Sequence, residues 1–154
     1  ALFYVNKDFF VLVDEGIGSA AGSANLSFNL CRYESEVEYD ANEMGAHTTF
    51  TDNNIVVRTF TNETATFNEM EGRVAYVVKN DIFDKRKAYQ IKINKLANKT
   101  ARFITVIYPC KKTEGQTIEA VFTDNGYSAN GASIKVTING IEYPLSYILQ
   151  SNNF

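Results

Sequence analysis

The sequence predicts an all-β fold, an antiparallel β-sandwich of about a dozen short strands. Three observations carry that reading. Apolar and polar residues alternate with period two in several segments, as in Tyr89, Ile91 and Ile93 against Gln90, Lys92 and Asn94. Such alternation places one set of side chains on a core face and the other toward solvent. Short polar turns recur between these segments. Nowhere does an i, i+3, i+4, i+7 apolar pattern persist for ten residues, so no amphipathic helix is indicated.

The elements follow in order. Residues 1–5 form a first strand, and Asn6-Lys7-Asp8 turns the chain into a second over 9–13. Asp14 to Ala24, with Gly16, Gly18 and Gly22 among alanines and serines, reads as a flexible loop. Leu26, Phe28 and Leu30 alternate with Ser27, Asn29 and Cys31 in the next strand. Further strands are expected at 37–41, 46–51, 54–60, 73–78 and 89–94, with Asp52-Asn53 as one of the turns. Asn98-Lys99-Thr100 leads into 101–108. Residues 111–116 separate it from a strand around Ile118, Ala120 and Phe122, and the 124–131 loop precedes strands at 133–138 and 141–149.

Two of these elements say more. Asn139-Gly140 is the strongest turn signal, because a type I′ turn needs positive φ at both central residues. That turn sets Ile138 opposite Ile141, Val136 opposite Tyr143 and Ile134 opposite Leu145, all on one side; Pro144, lacking an N–H, places its strand at a sheet edge or has it bonded only on its other side. The 101–108 strand is apolar on both faces, Phe103 and Ile107 on one and Ile104, Val106 and Tyr108 on the other. It is expected to be buried on both sides, as in a sheet covered by another domain or a long loop.

The chain has 154 residues, 45% hydrophobic and 21% charged, with 15 basic and 18 acidic side chains and a net charge of −3. That length suits one domain over 1–150, with 151–154 as a tail. The negative balance provides no long-range attraction to nucleic acid or an anionic membrane, so neither is expected as a partner. The longest apolar runs, such as Phe9 to Val13, fall well short of the roughly 20 residues of a membrane-spanning helix. There is no initiating Met or signal peptide, and Ala1 enters directly into strand-like sequence; the chain is expected to be a fragment of a larger protein.

Candidate chemistry is sparse. Cys31 and Cys110 lie far apart without a CxxC or companion histidine, so no zinc site is expected. One disulfide and two independent thiols both stay open; neither cysteine is expected to be a reactive nucleophile. His47, the single histidine, shares a face with Thr49 and Thr51 and reads as a solvent-facing or hydrogen-bonded strand residue. A triad would require a nucleophile and an acid to meet it. Asp14 and Glu15 are adjacent on a strand end and point to opposite faces, unlike a converging glycosidase pair. Gly16-Ile17-Gly18 is followed by Ser19-Ala20-Ala21, which breaks the phosphate-binding GxGxxG pattern. Lys85-Arg86-Lys87, with Lys92 and Lys95 nearby, reads as a solvated basic turn. Sugar-binding modules stack rings on exposed aromatics, usually Trp; this chain has none among its nine tyrosines and eleven phenylalanines. Tyr33 and Tyr127 are its candidates. Asn25, Asn62 and Asn98 head glycosylation sequons that carry little weight in so Asn-rich a chain.

A resemblance supplies what the residue types do not. Phe9-Phe10-Val11-Leu12-Val13-Asp14-Glu15, a Gly-rich loop, and Leu26-Ser27-Phe28-Asn29-Leu30 resemble the β-sandwich of heparinase II/III-like polysaccharide lyases, closest to the heparinase III type. Arg102-Phe103-Ile104-Thr105-Val106-Ile107-Tyr108-Pro109 resembles the later family strand that ends at a proline. Asn29 stands where many members carry His. The resemblance implies a supersandwich-like C-terminal β domain of a bacterial enzyme that cleaves heparin or heparan sulfate by β-elimination. In such lyases an Asn neutralises the uronate while a Tyr/His pair exchanges protons. Those residues belong to the helical toroid and the early sandwich, upstream of Ala1, so no catalytic or metal-ligating residue is assigned here, no cofactor is implied, and binding residues are unassigned. The implied partners are the toroid of the same parent chain and an anionic polysaccharide, in the periplasm or outside the cell. The chain alone is expected to be inactive. The rival reading is a free-standing carbohydrate-binding or adhesin-type β-sandwich.

Overall fold

The computed structural model describes residues 1–29, 36–73 and 85–149, with backbone alone at 71–73 and 85–87. Twelve strands run through these residues, and among them there is no α-helix. They are β1 (Leu2–Val5), β2 (Phe9–Gly16), β3 (Gly22–Asn29), β4 (Val37–Asp40), β5 (Gly45–Thr48) and β6 (Asn54–Thr61). Then come β7 (Ala65–Arg73), β8 (Lys85–Lys95), β9 (Ala101–Cys110), β10 (Ile118–Phe122), β11 (Gly131–Ile138) and β12 (Ile141–Ile148). All pairings are antiparallel.

The strands form a six-stranded sheet, β1-β2-β9-β6-β5-β4, and two three-stranded sheets, β10-β11-β12 and β3-β8-β7. Two apolar clusters make the six-stranded sheet the central layer. On one face Phe9, Val11, Val13, Val56, Ile104 and Val106 pack against Ile118, Ala120, Ile134, Val136 and Ile138 of the β10-β11-β12 sheet. On the other face Val37, Ala46, Ala101 and Phe103 pack against Tyr89, Ile91 and Ile93 of β8. Tyr89 is fully buried there among Phe28, Tyr39 and Phe67, its ring centroid 5.0–6.1 Å from theirs. Residues 101–106 of β9 are all buried. The doubly apolar strand is therefore covered at that end by two sheets of its own chain, not by a separate neighbour.

The β11–β12 hairpin has the expected register, with Ile138 opposite Ile141, Val136 opposite Tyr143 and Ile134 opposite Leu145. Asn139 and Gly140 adopt φ values of 50° and 81°, the left-handed pair that a type I′ turn requires. Pro144 lies on β12, at the edge of its sheet, where no ladder partner needs its missing N–H.

Several expectations are corrected. The loop expected over Asp14 to Ala24 shrinks to 17–21: β2 continues to Gly16, paired with Ala101, and β3 starts at Gly22, paired with Lys95. Backbone ladders do not require alternating side chains, so a small-residue run can extend a strand. What remains of the loop is tied down, as Lys95 Nζ donates to the carbonyls of Gly18 and Ala20 at 2.7 Å each. The strand expected over 46–51 ends at Thr48, because Asn54 closes the following turn. Its Oδ1 accepts from Phe50 N, and its Nδ2 donates to the carbonyls of Phe50 and Lys111. β7 was not expected, since Phe67 is its single large aromatic among polar neighbours; residues 74–78 of the neighbouring expected strand lie outside the described residues. Lys85-Arg86-Lys87 is not a turn but the start of β8, paired with β7. The 151–154 tail, Cys31 and Tyr33 also lie outside the described residues.

Candidate functional site

His47 sits on β5, opposite Glu38 of β4 and Val56 of β6. Its Nε2 lies 3.5 Å from Glu38 Oε2. The pair opens onto a shallow cavity of about 340 Å³ also lined by Thr49, Thr51, Asn54, Lys112 and Glu114. The expected grouping of His47 with Thr49 and Thr51 is thus present. Two carboxylates there face one ammonium and one imidazole, so the surface has no cationic excess to hold a sulfated or carboxylated sugar. Nearby on the same sheet face, Arg58 lies between Asp40 at 3.3 Å and Glu43 at 2.8 Å. This region of the central sheet, beyond the reach of the β10-β11-β12 layer, is a charged, water-facing surface.

The most ordered polar constellation is elsewhere, at the end of the interface between the central sheet and the β10-β11-β12 layer. Arg102 is buried, yet its guanidinium makes three charge-assisted hydrogen bonds. Nε donates to Glu15 Oε1 at 2.7 Å, and the two terminal nitrogens donate to Asp124 at 2.6 and 2.9 Å. Tyr147 donates to Glu15 Oε2 at 2.5 Å, Ser133 N donates to Asp124 Oδ2, and the Phe122 ring lies 3.7 Å from the guanidinium carbon. The bidentate fork holds Asp124 down to about 2, from its ordinary 3.8. Burial, reinforced by the bond to Glu15, pushes Tyr147 up to about 12. Burial opposes the charge on Arg102, but its hydrogen bonds to the two carboxylates overcome that and raise its pKa. The cluster joins β2, β9, β12 and the end of β10, and each charged group in it already has an oppositely charged partner inside the cluster. It is a clamp between layers.

Sequence reasoning missed this cluster, although a signal was present. A lone arginine in Ala101-Arg102-Phe103-Ile104, a strand otherwise fit for burial, demands carboxylate partners. Glu15 and Asp14 point to opposite faces as expected: Glu15 reaches Arg102, whereas Asp14 lies beside Phe103 in register. Tyr127 stands half-exposed in the loop after β10. The sequon asparagines Asn25, Asn62 and Asn98 are all exposed. Cys110 is a free, half-buried thiol whose pKa burial raises. Among the described residues no three His, Cys, Asp or Glu side chains gather closely enough to hold a metal ion.

No protein-family model matches the chain. Individual proteins do. A heparin-sulfate lyase of Bacteroides thetaiotaomicron is 52% identical over 152 residues, covering 97% of this chain and 22% of that enzyme. A heparin-sulfate lyase of Pedobacter heparinus is 26% identical over 142 residues, covering 91% of this chain and 21% of that protein. A crystal structure of heparinase III superimposes with a TM-score of 0.91 at 52% identity, covering 96% of this chain and 23% of that one. The chain thus spans about a fifth of the length of these relatives. Agreement of half the residues and of the backbone along nearly the whole chain makes this β-sandwich the homologue of one segment of the longer heparinase III chain.

Proposed function

We propose that the chain is the C-terminal β-sandwich portion of a glycosaminoglycan lyase that acts on heparin or heparan sulfate, and that it supports catalysis carried out elsewhere in the parent chain. The carrying observation is the 52% identity over 97% of this chain to a heparin-sulfate lyase. β-Elimination on a uronate requires a group that neutralises the carboxylate, a base for the C5 proton and an acid for the leaving oxygen, converging on one sugar. Neither of the two polar groupings described above has that arrangement. His47 faces Glu38 across a shallow charged surface, and Arg102 is buried with its charge paired to Glu15 and Asp124. The sandwich therefore contributes scaffolding, one wall beside the cleft of a helical toroid, in a periplasmic or secreted bacterial enzyme. The free-standing sugar-binding reading has weaker support, since the 52% identity is to a lyase and the candidate stacking ring Tyr127 is only 38% exposed.

The test is the ultraviolet absorbance of the unsaturated uronate product when heparan sulfate is incubated with the 154-residue chain and with the full-length parent. Product from the parent alone is expected. Product from the chain alone overturns the supporting role, and absence of product from both removes the lyase reading.

A further inference from the structure

The central sheet is covered unevenly, and its two uncovered regions differ in chemistry. Where the β10-β11-β12 layer stops short, over β4 and β5, the open face carries Glu38, His47, Asp40 and Arg58, the composition of a surface meant for water. On the opposite face, the β3-β8-β7 layer covers Ala46, Ala101 and Phe103 and leaves β1, the start of β2 and the far end of β9 open. That open half is built from Leu2, Tyr4, Phe10, Leu12, Ile55 and Ile107, none of them charged. Leu2 is opposite Leu12, Tyr4 opposite Phe10, and Phe10 opposite Ile107, so five of the six form one continuous patch across three strands. Leu2 is 66% exposed, Tyr4 58%, Ile55 42% and Phe10 37%. Tyr4 and Phe10 stack at 4.6 Å with planes 12° apart, a flat aromatic platform. Within this face Thr59 and Thr105 are buried and hydrogen-bonded to each other at 2.9 Å, and the one carboxylate on this side of β2, Asp14, lies beyond Leu12 at the margin, beside the covered Phe103.

A contiguous exposed apolar face depleted of charge is the composition of an interface core, not of free surface. The same sheet shows, on its other side, how this chain builds a face that stays wet. We propose that the Leu2–Tyr4–Phe10–Leu12–Ile55–Ile107 face is the surface on which the remaining part of the parent lyase chain docks. The occupant is an apolar face of the same polypeptide, since this segment is 22% of the length of its heparin-sulfate lyase relative and most of such a chain lies outside it. The inference rests on the reading of the chain as part of a longer lyase. It adds which face of the sandwich is covered and by what chemistry.

Hydroxyl-radical footprinting of the full-length parent tests it without any substitution. Exposure within this segment alone ranks Tyr4, at 58%, above Tyr127, at 38%. Docking reverses that order: Tyr4 and Phe10 are oxidised severalfold more slowly than Tyr127, equally at low and high protein concentration, in a sample shown by light scattering to be monomeric. Oxidation of Tyr4 faster than Tyr127 overturns the proposal. Protection that disappears on dilution also overturns it, because a second copy is then the occupant. Lyase activity read on the same sample separates the two claims. Activity without protection sinks the docking face alone, and protection without activity upholds the docking face while removing the lyase reading.

Discussion

Replacing Arg102 by Met keeps much of the side chain's volume and removes its charge and its three hydrogen bonds. Glu15 and Asp124 would then remain as two carboxylates at 9% and 20% side-chain exposure with no cation between them. Removing one partner of a buried ion pair costs about 3–5 kcal/mol, chiefly because the other charge stays desolvated. Here two carboxylates are orphaned and the Phe122 ring loses the guanidinium stacked on it, so the upper half of that range is expected. Urea unfolding should show a lower midpoint with an unchanged slope, the signature of lost stability without altered compactness. The acid limb provides a second reading. Asp124 has its folded pKa depressed to about 2 from 3.8. Its contribution is fully present above about pH 4 and is lost as pH falls through 2, and the shift corresponds to about 2 kcal/mol. That acid-linked loss should shrink in the Met variant, where only the backbone hydrogen bonds from Ser133 and Gly126 still favour the Asp124 carboxylate. Adding Glu15→Gln and Asp124→Asn should recover part of the deficit, because neutral amides cost less to bury. A single-variant loss below about 1 kcal/mol, the scale of a surface ion pair, would refute the clamp.

Three further outcomes are expected. Gly45→Ala should destabilise by about 2–3 kcal/mol in thermal or urea unfolding, because an added Cβ falls 2.0 Å from the Val57 carbonyl oxygen and forces β5 from β6. Gly140→Val should lower stability by about 1–2 kcal/mol through backbone strain alone, since φ is +81° and nothing lies within 4 Å of the new Cβ; an unchanged melting temperature would contradict the turn geometry. Cys110 should react slowly with iodoacetamide at neutral pH, its thiol being half-buried with a raised pKa; alkylation at the rate of a free thiol in solution would count against that burial.

The single linear sequence determined what depends on near neighbours along the chain. Period-two alternation in 89–94 marked a strand with one core face, and β8 buries Tyr89, Ile91 and Ile93. Asn139-Gly140 fixed a turn and with it the register of eight residue pairs, because only such residues accept two consecutive left-handed conformations cheaply. The lyase resemblance was legible for a related reason: it was read from the strand motifs 9–15 and 102–109, and 52% of the residues agree with a heparin-sulfate lyase. Tertiary structure decided everything that depends on partners distant in sequence. Glu15, Arg102, Asp124 and Tyr147 span 132 residues and converge only because β2 and β9 are neighbours in one sheet while β12 lies across from them. No local pattern encodes that meeting. The same holds for the two coats on β9, which alternation could announce as burial but not assign to a covering layer. It holds above all for the open apolar half of the central sheet: Leu2, Tyr4 and Phe10 read as ordinary strand residues in sequence. Their exposure emerges only once the β3-β8-β7 layer is seen to stop short of them, since coverage is a property of how sheets stack and not of any strand alone.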